Sequence, residues 1–393
     1  MKRREFISAA VAAAVASRGA VGQAVPNAPV LSIGGGSAPG VTGPIADGNT
    51  VTISYDGSNG FGANGPGSTA SIYLFDNCST YTGAVGSVIP TNPNTLGVGT
   101  VTYTYSGVAD PTPLWLIDPN GRIPGRNCAL TTHITQAERV TTGGARINRI
   151  LTPATSEWYI CRSYKWVQVP TYSGSFWKTT WYTQGPYPSS EFEMIAPSFN
   201  EGENFACFGG SAYGIWPTNG IPGFGITASI DTTGGWNTWE SYYSINPVRS
   251  SADSVFFRST CKNKNTDTGM SSNTAAAKYP GIYVDHLNIP GWNGDANDSR
   301  IQGNMQVDLA DLYICGSSGL GQGACARVMI GNASTLAACT DLAICTPTAW
   351  SNGSITCIIR CGGFQSMSGK YLFVLNASNN VVTYNGSQGR LIS

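Results

Sequence analysis

Short runs in which apolar and polar residues alternate recur along the chain, and turn-forming residues close most of them. The runs at 51–55, 71–75, 101–106 and 114–117 contain Val, Ile, Tyr and Thr, and Gly, Pro, Asn or Asp lie between them. Alternation with a period of two is typical of strands, and the breakers indicate turns. The pattern therefore predicts an all-β protein.

The residue composition changes twice along the chain, and this predicts three modules. Residues 26–150 hold short strands between breakers and favour a small immunoglobulin-like β-sandwich. Across 151–315 the aromatic density rises, and this length suits one central two-sheet jelly roll. Residues 316–393 favour a small C-terminal β module that needs local support, because its core is small.

The first 24 residues predict an export signal. Arg3-Arg4-x-Phe6-Ile7 resembles a bacterial twin-arginine signal, an Ala/Val run follows it, and the chain suits cleavage after Ala24. The apolar run spans about ten residues, too few for a helix across roughly 30 Å of hydrocarbon. We expect the mature protein to be periplasmic, extracellular or cell-surface, without a transmembrane span.

Composition excludes several other classes. The 22 Lys and Arg residues balance the 22 Asp and Glu residues, so no basic excess points to a nucleic-acid partner. A hydrophobic fraction of 41% argues against disorder. Abundant Gly, Ser, Thr and Tyr argue against a helical bundle.

Eleven cysteines fit an oxidising compartment. Six of them fall within 315–361, where the spacing permits local disulfides such as Cys339–Cys345. The connectivity stays open, and the odd number leaves at least one thiol unpaired within the chain. With only two histidines and no Cys-x-x-Cys pair, a zinc site made of Cys and His is not expected.

Six short strings resemble parts of large bacterial and phage-associated exoproteins. They lie at 51–54, 235–240, 307–314, 325–332, 349–352 and 371–377. In those proteins an IPT/TIG-like immunoglobulin-type module precedes a laminin-G/concanavalin-like jelly roll, and a small β module closes the chain. The resemblance implies the same order of modules here, and glycan binding or cleavage at a surface.

Paired carboxylates offer one kind of chemistry. Glu191 and Glu193 lie two apart, and residues two apart on a strand share a face. Two carboxylates on one face are the acid and base of many glycosidases. The string resembles the Glu-x-Asp-x-Glu strand of laminarinase-like glycosidases, although Glu193 replaces its Asp and Ile195 its last acid. A plain polar strand face is the alternative.

A lyase needs a base near the C5 proton of a uronate and a cation to neutralise the carboxylate. His286 is the candidate base, and Arg162 and Lys178 are candidate cations. A single histidine in an all-β domain is also commonly structural, so both interpretations stay open.

The aromatic residues offer a binding surface. Flat rings cover the apolar C–H faces of sugars while polar neighbours bond the hydroxyls. Roughly half of the candidate rings are expected in the core, because alternation buries every second residue of a strand. The candidates are Trp166, Trp177, Trp181, Tyr182, Trp216, Trp236 and Trp239, with Arg162 and Lys178 beside them.

One loop offers oxygen ligands for a metal. Asp295, Asn297 and Asp298 are spaced for Ca²⁺, although the loop does not match the EF-hand pattern and a plain turn is the alternative. No other cofactor is expected.

Together these features predict an exported protein that binds a polysaccharide on its central jelly roll. A polysaccharide lyase or glycosidase using the same groove is one alternative. A structural subunit of a surface layer, fibre or phage particle is the other, because small β modules can pair edge to edge. The oligomeric state is left open.

Overall fold

Antiparallel strands make up almost all of the regular structure, and the predicted all-β fold is confirmed. The structure is a computed structural model. It describes residues 30–33, 45–55, 60–76, 84, 101–105, 115–124, 126, 129–134, 147–155, 157–168, 177–178, 181–184, 192–193, 195–200, 204–209, 224–229, 234–244, 253–261, 264–273, 284–289, 305–319, 321–383 and 388–392. Within these ranges the helical structure is one 3₁₀ turn, Leu336–Ala338. No helix among them has the length and hydropathy needed to cross a membrane.

The strands follow one another in chain order. The first nine are β1 (Val30–Ile33), β2 (Thr50–Ser54), β3 (Ser71–Asp76), β4 (Val101–Tyr105), β5 (Trp115–Asp118), β6 (Ala129–Ile134), β7 (Ile147–Thr155), β8 (Glu157–Gln168) and β9 (Trp177–Lys178). The next eight are β10 (Trp181–Gln184), β11 (Phe192–Glu193), β12 (Ile195–Asn200), β13 (Asn204–Gly209), β14 (Phe224–Ser229), β15 (Trp236–Ser244), β16 (Asp253–Cys261) and β17 (Lys264–Asn273). The last eight are β18 (Val284–Ile289), β19 (Met305–Ser317), β20 (Arg327–Gly331), β21 (Leu342–Ile344), β22 (Thr346–Trp350), β23 (Ser354–Ile358), β24 (Tyr371–Leu375) and β25 (Arg390–Leu391).

The described strands form five sheets. An eight-stranded sheet has the order β17-β16-β15-β8-β19-β6-β5, with β3 also pairing with β19. A five-stranded sheet has the order β11-β10-β18-β7-β4, and a four-stranded sheet the order β14-β13-β12-β9. Two more four-stranded sheets have the orders β1-β2-β23-β22 and β21-β20-β24-β25.

The chain passes repeatedly between the five-stranded and eight-stranded sheets. Strands β4, β7 and β18 belong to the five-stranded sheet. Strands β5 and β6, which follow β4, and strands β8 and β19, which follow β7 and β18, belong to the eight-stranded sheet. Exchange of successive strands between two antiparallel sheets is how jelly-roll sandwiches are built. The central region therefore has the two-sheet arrangement that the sequence predicted.

The sheets connect strands from different predicted modules. Strand β2 pairs with β23, so residues from both ends of the chain share a sheet. Strand β3 pairs with β19, and β4 pairs with β7. Three of the five described sheets thus contain strands from both sides of residue 150 or residue 315, the positions where the composition changes.

The sheet of β21, β20, β24 and β25 lies between two other sheets. Successive residues of β20 alternate between two cores: Val328 and Ile330 pack with the β2–β23 sheet, and Met329 packs with β8 and β19 of the eight-stranded sheet. All five residues of β20 are buried for this reason. The sheet containing β20 therefore fixes the eight-stranded sheet on one side and the N-terminal strands on the other.

Seven buried cysteines of the described part are free thiols. They are Cys161, Cys315, Cys325, Cys339, Cys345, Cys357 and Cys361. The bridge Cys339–Cys345, which the spacing permitted, is not formed. Its two residues belong to different cores, Cys339 on the side of the eight-stranded sheet and Cys345 on the side of β2 and β23. Burial raises the pKa of Cys325 to about 12, so its thiol is protonated near neutral pH.

Candidate functional site

Two candidate catalytic residues lie in one row of the five-stranded sheet. Thr183 of β10 is opposite Glu193 of β11 on one side and opposite His286 of β18 on the other. The row continues through Ile150 to Thr102. Directly paired residues in a ladder occupy the same face of a sheet. The register thus brings together a carboxylate and an imidazole residue that lie 93 positions apart in the sequence.

The neighbouring row on the same face contains Trp181, which is opposite Asn288 of β18. Asn288 is opposite Asn148, and Asn148 is opposite Thr104. We call the nine residues of these two rows the polar set. Its members are Glu193, Thr183, His286, Ile150, Thr102, Trp181, Asn288, Asn148 and Thr104. Seven of the nine are polar, and the exceptions are Trp181 and Ile150.

The alternate positions of the same strands have the opposite composition. This apolar set contains Phe192, Gln184, Tyr182, Leu287, Arg149, Tyr103, Leu151, Val101, Ile289, Ile147 and Tyr105. Nine of its eleven members are aliphatic or aromatic. Such segregation is typical of an antiparallel sheet that packs one face on a core and leaves the other in water. Tyr182 therefore falls in the set expected in the core, and Trp181 in the set expected in water.

The spacing of the row is suited to flanking a ligand. Neighbouring strands lie about 4.8 Å apart, so the backbones of Glu193 and His286, on the two sides of β10, are about 10 Å apart across the sheet. Thr183 lies between them. The register therefore leaves one strand, β10, between the two candidate acid–base residues.

Two further candidates lie in the sheet of β9 and β12 to β14. Trp177 is opposite Phe199, which is opposite Phe205. Lys178 is opposite Ser198 in the next row. Trp177 therefore falls in an aromatic row of the kind found in cores, whereas Lys178 falls in the more polar row.

The structure places three candidates of the eight-stranded sheet in its interior. Trp166 is 1% exposed, Trp239 is 5% exposed and Arg162 is 4% exposed. Arg162 is opposite Trp239, and its guanidinium lies 4.9 Å from the centre of that indole ring. The cause is coverage of both faces: Trp158 and Tyr159, which are neighbours along β8, are both fully buried. In this arrangement the three side chains contribute to the core and not to an open surface.

Trp236 is the candidate of the same sheet that is only partly buried. It is opposite Lys165, and the Lys165 ammonium lies 5.3 Å from the centre of the indole ring. Lys165 also forms an ion pair of 2.9 Å with the buried Asp308. Trp236 lies on the face of the sheet that carries Tyr159, so it belongs to a different surface from the polar set.

Several predicted residues lie outside the described ranges. They are Glu191, Trp216, Asp295, Asn297 and Asp298. The predicted calcium loop and the export signal therefore stay predictions. In the part of the chain that the structure describes, no group of three or more His, Cys, Asp or Glu side chains is arranged to hold a metal ion.

A small cleft that no sequence pattern predicted lies beside β19. Its walls include Asp47, Phe75, Arg122, Asp311 and Arg360, and the cavity has a volume of about 20 Å³. Arg122, at the turn after β5, donates from Nη1 to Asp311 and from Nη2 to Asp341, each over 2.5 Å. These residues are up to 313 positions apart, so no local pattern could have grouped them.

Burial and charge act together on the ion pairs of the cleft. Burial alone would lower the pKa of Arg122, but the carboxylates of Asp341 and Asp311 raise it above its ordinary value. Burial raises the pKa of Asp311, and Arg122 offsets part of that rise. The arrangement supplies fixed positive groups at the cleft.

Comparison with protein-family models and with curated proteins finds no match. Among solved structures, an alginate lyase is 10% identical, with a TM-score of 0.39 over 63% of this chain and 96% of the lyase. A marine alginate lyase from Aplysia kurodai is 11% identical, with a TM-score of 0.39 over 58% of this chain and 97% of the lyase. An endo-β-1,4-glucuronan lyase from the fungus Trichoderma reesei is 9% identical, with a TM-score of 0.36 over 63% and 96% of the two chains. At these values the comparisons identify no family for the chain.

Proposed function

We propose that the polar set of the five-stranded sheet is a polysaccharide-binding surface. The observation that carries the proposal is the position of Trp181, an aromatic residue in a set of rows that is otherwise almost entirely polar. An indole ring among amide and hydroxyl residues matches the needs of a sugar, which presents apolar C–H faces and a rim of hydroxyls.

The burial of other rings changes which residues are expected to bind. Trp166 and Trp239 are almost fully buried, so we assign them to the core. Trp181 becomes the principal ring, and Asn288 and Asn148 in its row supply donors and acceptors for hydroxyls. The proposed surface is thus smaller than the sequence predicted and lies on the other sheet.

Affinity electrophoresis of the full chain through gels that contain single polysaccharides tests this proposal. Alginate and glucuronan, named for the lyases above, belong in the panel together with neutral glucans and galactans. We expect retardation by at least one polymer, and we expect Trp181→Ala to weaken it about tenfold or more, which is the loss of about 1.4 kcal/mol. Trp236→Ala is the matched control, because it removes a partly buried indole from a different surface.

The outcomes separate the two surfaces. Retardation that survives Trp181→Ala but is lost in Trp236→Ala would place binding on the eight-stranded sheet and contradict the proposal. Absence of retardation by every polymer, together with ordered self-assembly of the purified protein, would favour a structural subunit.

A second candidate function is cleavage of the bound polysaccharide. The row Glu193–Thr183–His286 favours it, because an imidazole and a carboxylate flank one position. In a lyase step the base removes the C5 proton, a C4–C5 double bond forms, and the C4–O bond to the leaving sugar breaks as that oxygen takes up a proton. In a hydrolytic step, water adds across the glycosidic bond with acid–base help.

An assay of new chain ends tests cleavage. Unsaturated ends indicate a lyase, and reducing ends without unsaturation indicate a hydrolase. We expect His286→Ala and Glu193→Gln each to abolish product while retardation in the gel persists. Release of products at the wild-type rate by both variants would contradict this second function.

We also propose that the protein acts outside the cytoplasm. The twin-arginine-like segment at the N-terminus supports this location. Expression in a bacterial host with and without the twin-arginine pathway, followed by N-terminal sequencing of the exported protein, tests it. We expect a new N-terminus at residue 25, and retention of the uncleaved chain in the cytoplasm in both hosts would contradict it.

A further inference from the structure

Arg360 is a buried cation without an acidic partner among the described residues. The residue is 7% exposed, and it lies just after β23 at the wall of the cleft. Its Nε donates to Thr346 Oγ1 over 3.4 Å, and its guanidinium lies 4.8 Å from the centre of the Phe75 ring. These weak contacts involve no opposite charge, so nothing described here neutralises the guanidinium.

The nearby carboxylates are already used by other arginines. Asp47 pairs with Arg126 over 3.1 Å through Oδ2 and accepts the backbone N–H of Cys361 through Oδ1. Asp311 pairs with Arg122. Arg122 also pairs with Asp341, so the ion pairs at the cleft join Arg122 and Arg126 to three aspartates, and Arg360 is the lining arginine that takes part in none of them.

A second buried donor of the cleft also lacks a partner. The side chain of Arg122 is 3% exposed, and its Nε has no hydrogen-bond acceptor in the described structure. Burying a charge without a counterion is costly, and proteins ordinarily pair such groups or bind an ion beside them. The Arg360 guanidinium, which has no acidic partner, and the unpartnered Nε of Arg122 at the same cavity therefore indicate an anion.

We propose that the cleft binds a small monovalent anion of halide size, with Arg360 as its main counter-charge. The cavity of about 20 Å³ is close to the volume required for a single water-sized body. Apolar walls from Phe75, Ile123 and Ala310 suit a weakly hydrated ion such as chloride or bromide.

Thermal unfolding of the full chain in halide-free buffer tests the proposal. We expect sodium chloride to raise the unfolding midpoint saturably by about 1–3 °C, because a ligand that binds only the native state stabilises it by mass action. Sodium gluconate at the same ionic strength separates halide binding from general screening. Choline chloride should match sodium chloride, since the anion is the active species.

The variant Arg360→Met tests whether the response of the unfolding midpoint to chloride depends on this guanidinium. Methionine retains an apolar contact with Phe75 but carries no charge, so the chloride response should disappear. In halide-free buffer we expect this variant to be at least as stable as the wild type, because the uncompensated charge is gone. Arg390→Met, in β25 and outside the cleft, is the matched control and should keep the wild-type response.

Bromide supplies a measurement that needs no variant. We expect crystals grown with bromide to show an anomalous peak between the guanidinium groups of Arg360 and Arg122. Equal midpoints in chloride and gluconate, a larger response to formate or phosphate than to chloride, or no bromide peak in the cleft would overturn the proposal. Because the bromide measurement uses the wild-type chain, the proposal stays testable if Arg360→Met does not fold.

Discussion

Arg327 of β20 donates from Nε to Oε1 of Glu240 in β15 over 2.8 Å, and both side chains are fully buried. Glu240 Oε1 also accepts the hydroxyl of Tyr159 over 2.8 Å, and Oε2 pairs with Arg258 Nη1 over 3.1 Å. Arg327 lies 4.8 Å from the centre of the Tyr159 ring. A charged network thus joins the C-terminal sheet to the interior of the eight-stranded sheet.

Breaking this network should be costly. We expect Arg327→Met to lower the free energy of unfolding by about 3–5 kcal/mol, because it leaves one buried charge less well compensated. The double variant Arg327→Met/Glu240→Leu should recover part of that loss. Urea unfolding monitored by tryptophan fluorescence measures both values.

The pair Arg126–Asp47 provides the control for this prediction. Its side chains are 42% and 22% exposed, so Arg126→Met should cost about 0–1 kcal/mol. An Arg327→Met cost as small as that of Arg126→Met would mean that the buried network does not hold the two layers together.

The turn before β20 rests on a turn from the other end of the chain. Asn64 Nδ2 donates to the carbonyl of Gly321 over 2.7 Å, and Thr69 Oγ1 donates to the carbonyl of Gln322 over 2.6 Å. Gly321 and Gly323 both have positive φ, at +67° and +87°. A Cβ at Gly323 would lie 2.5 Å from the backbone of Asn64, whereas a Cβ at Gly321 would contact nothing within 4 Å.

The two glycines therefore form a matched pair. We expect Gly321→Ala to cost about 1 kcal/mol, which is the strain of a left-handed alanine. Gly323→Ala should cost clearly more, because it adds a steric clash with Asn64. Denaturant unfolding of the two variants measures the difference, and equal costs would show that the two turns are not in contact.

Glu157 fixes the same turn by accepting hydrogen bonds. Its carboxylate accepts the N–H groups of Gln322 and Ala324 over 2.9 and 3.0 Å, and the hydroxyl of Tyr242 over 3.1 Å. Burial raises the pKa of Glu157, and these hydrogen bonds offset only part of the rise. The folded protein therefore takes up a proton here at a higher pH than the unfolded chain does.

The direction of the pH dependence follows from this raised pKa. Between the unfolded value, about 4.3, and the raised folded value, the folded state holds more protons than the unfolded state. The contribution of Glu157 to the free energy of unfolding therefore falls as the pH rises through that window. Glu157→Gln should remove this component, whereas Asp311, whose pKa is also raised, retains a component of the same sign.

Urea unfolding of the wild type and Glu157→Gln at several pH values from about 4.5 to 7 measures this component. The stability difference between the two proteins should shift in favour of the variant as the pH rises. A difference that is constant over this range, or that shifts the other way, would contradict the assignment.

The strands were predictable from the sequence, but their partners were not. The alternation at 51–55 identified β2, yet its partner β23 lies about 300 residues away. A period-two pattern records which side of a strand is buried and carries no information about which strand lies beside it. The alternation therefore could not reveal that strands from the N-terminal and C-terminal parts of the chain share a sheet.

The burial of Trp166 and Trp239 could not be predicted from the sequence for a related reason. Alternation along a strand predicts one buried and one exposed face, which would leave about half of the rings exposed. Strand β8 has buried residues on both faces, because the C-terminal sheet covers one of them. Trp166 and Trp239 are buried on the opposite face of the same sheet, and only the register revealed that Trp181, His286 and Glu193 share a face.

Oxidative footprinting of tryptophan tests the central claim most directly, because it reports on the rings of the unmodified protein. Limited oxidation of the full chain, with and without a polysaccharide that retards it in the gel, is followed by mass spectrometry of each indole. We predict that Trp181 is oxidised in the free protein and protected in the complex, while Trp236 is equally reactive in both and Trp158 and Trp166 stay unmodified. A Trp181 that is unreactive in the free protein, or protection of Trp236 in place of Trp181, would contradict the proposed binding surface.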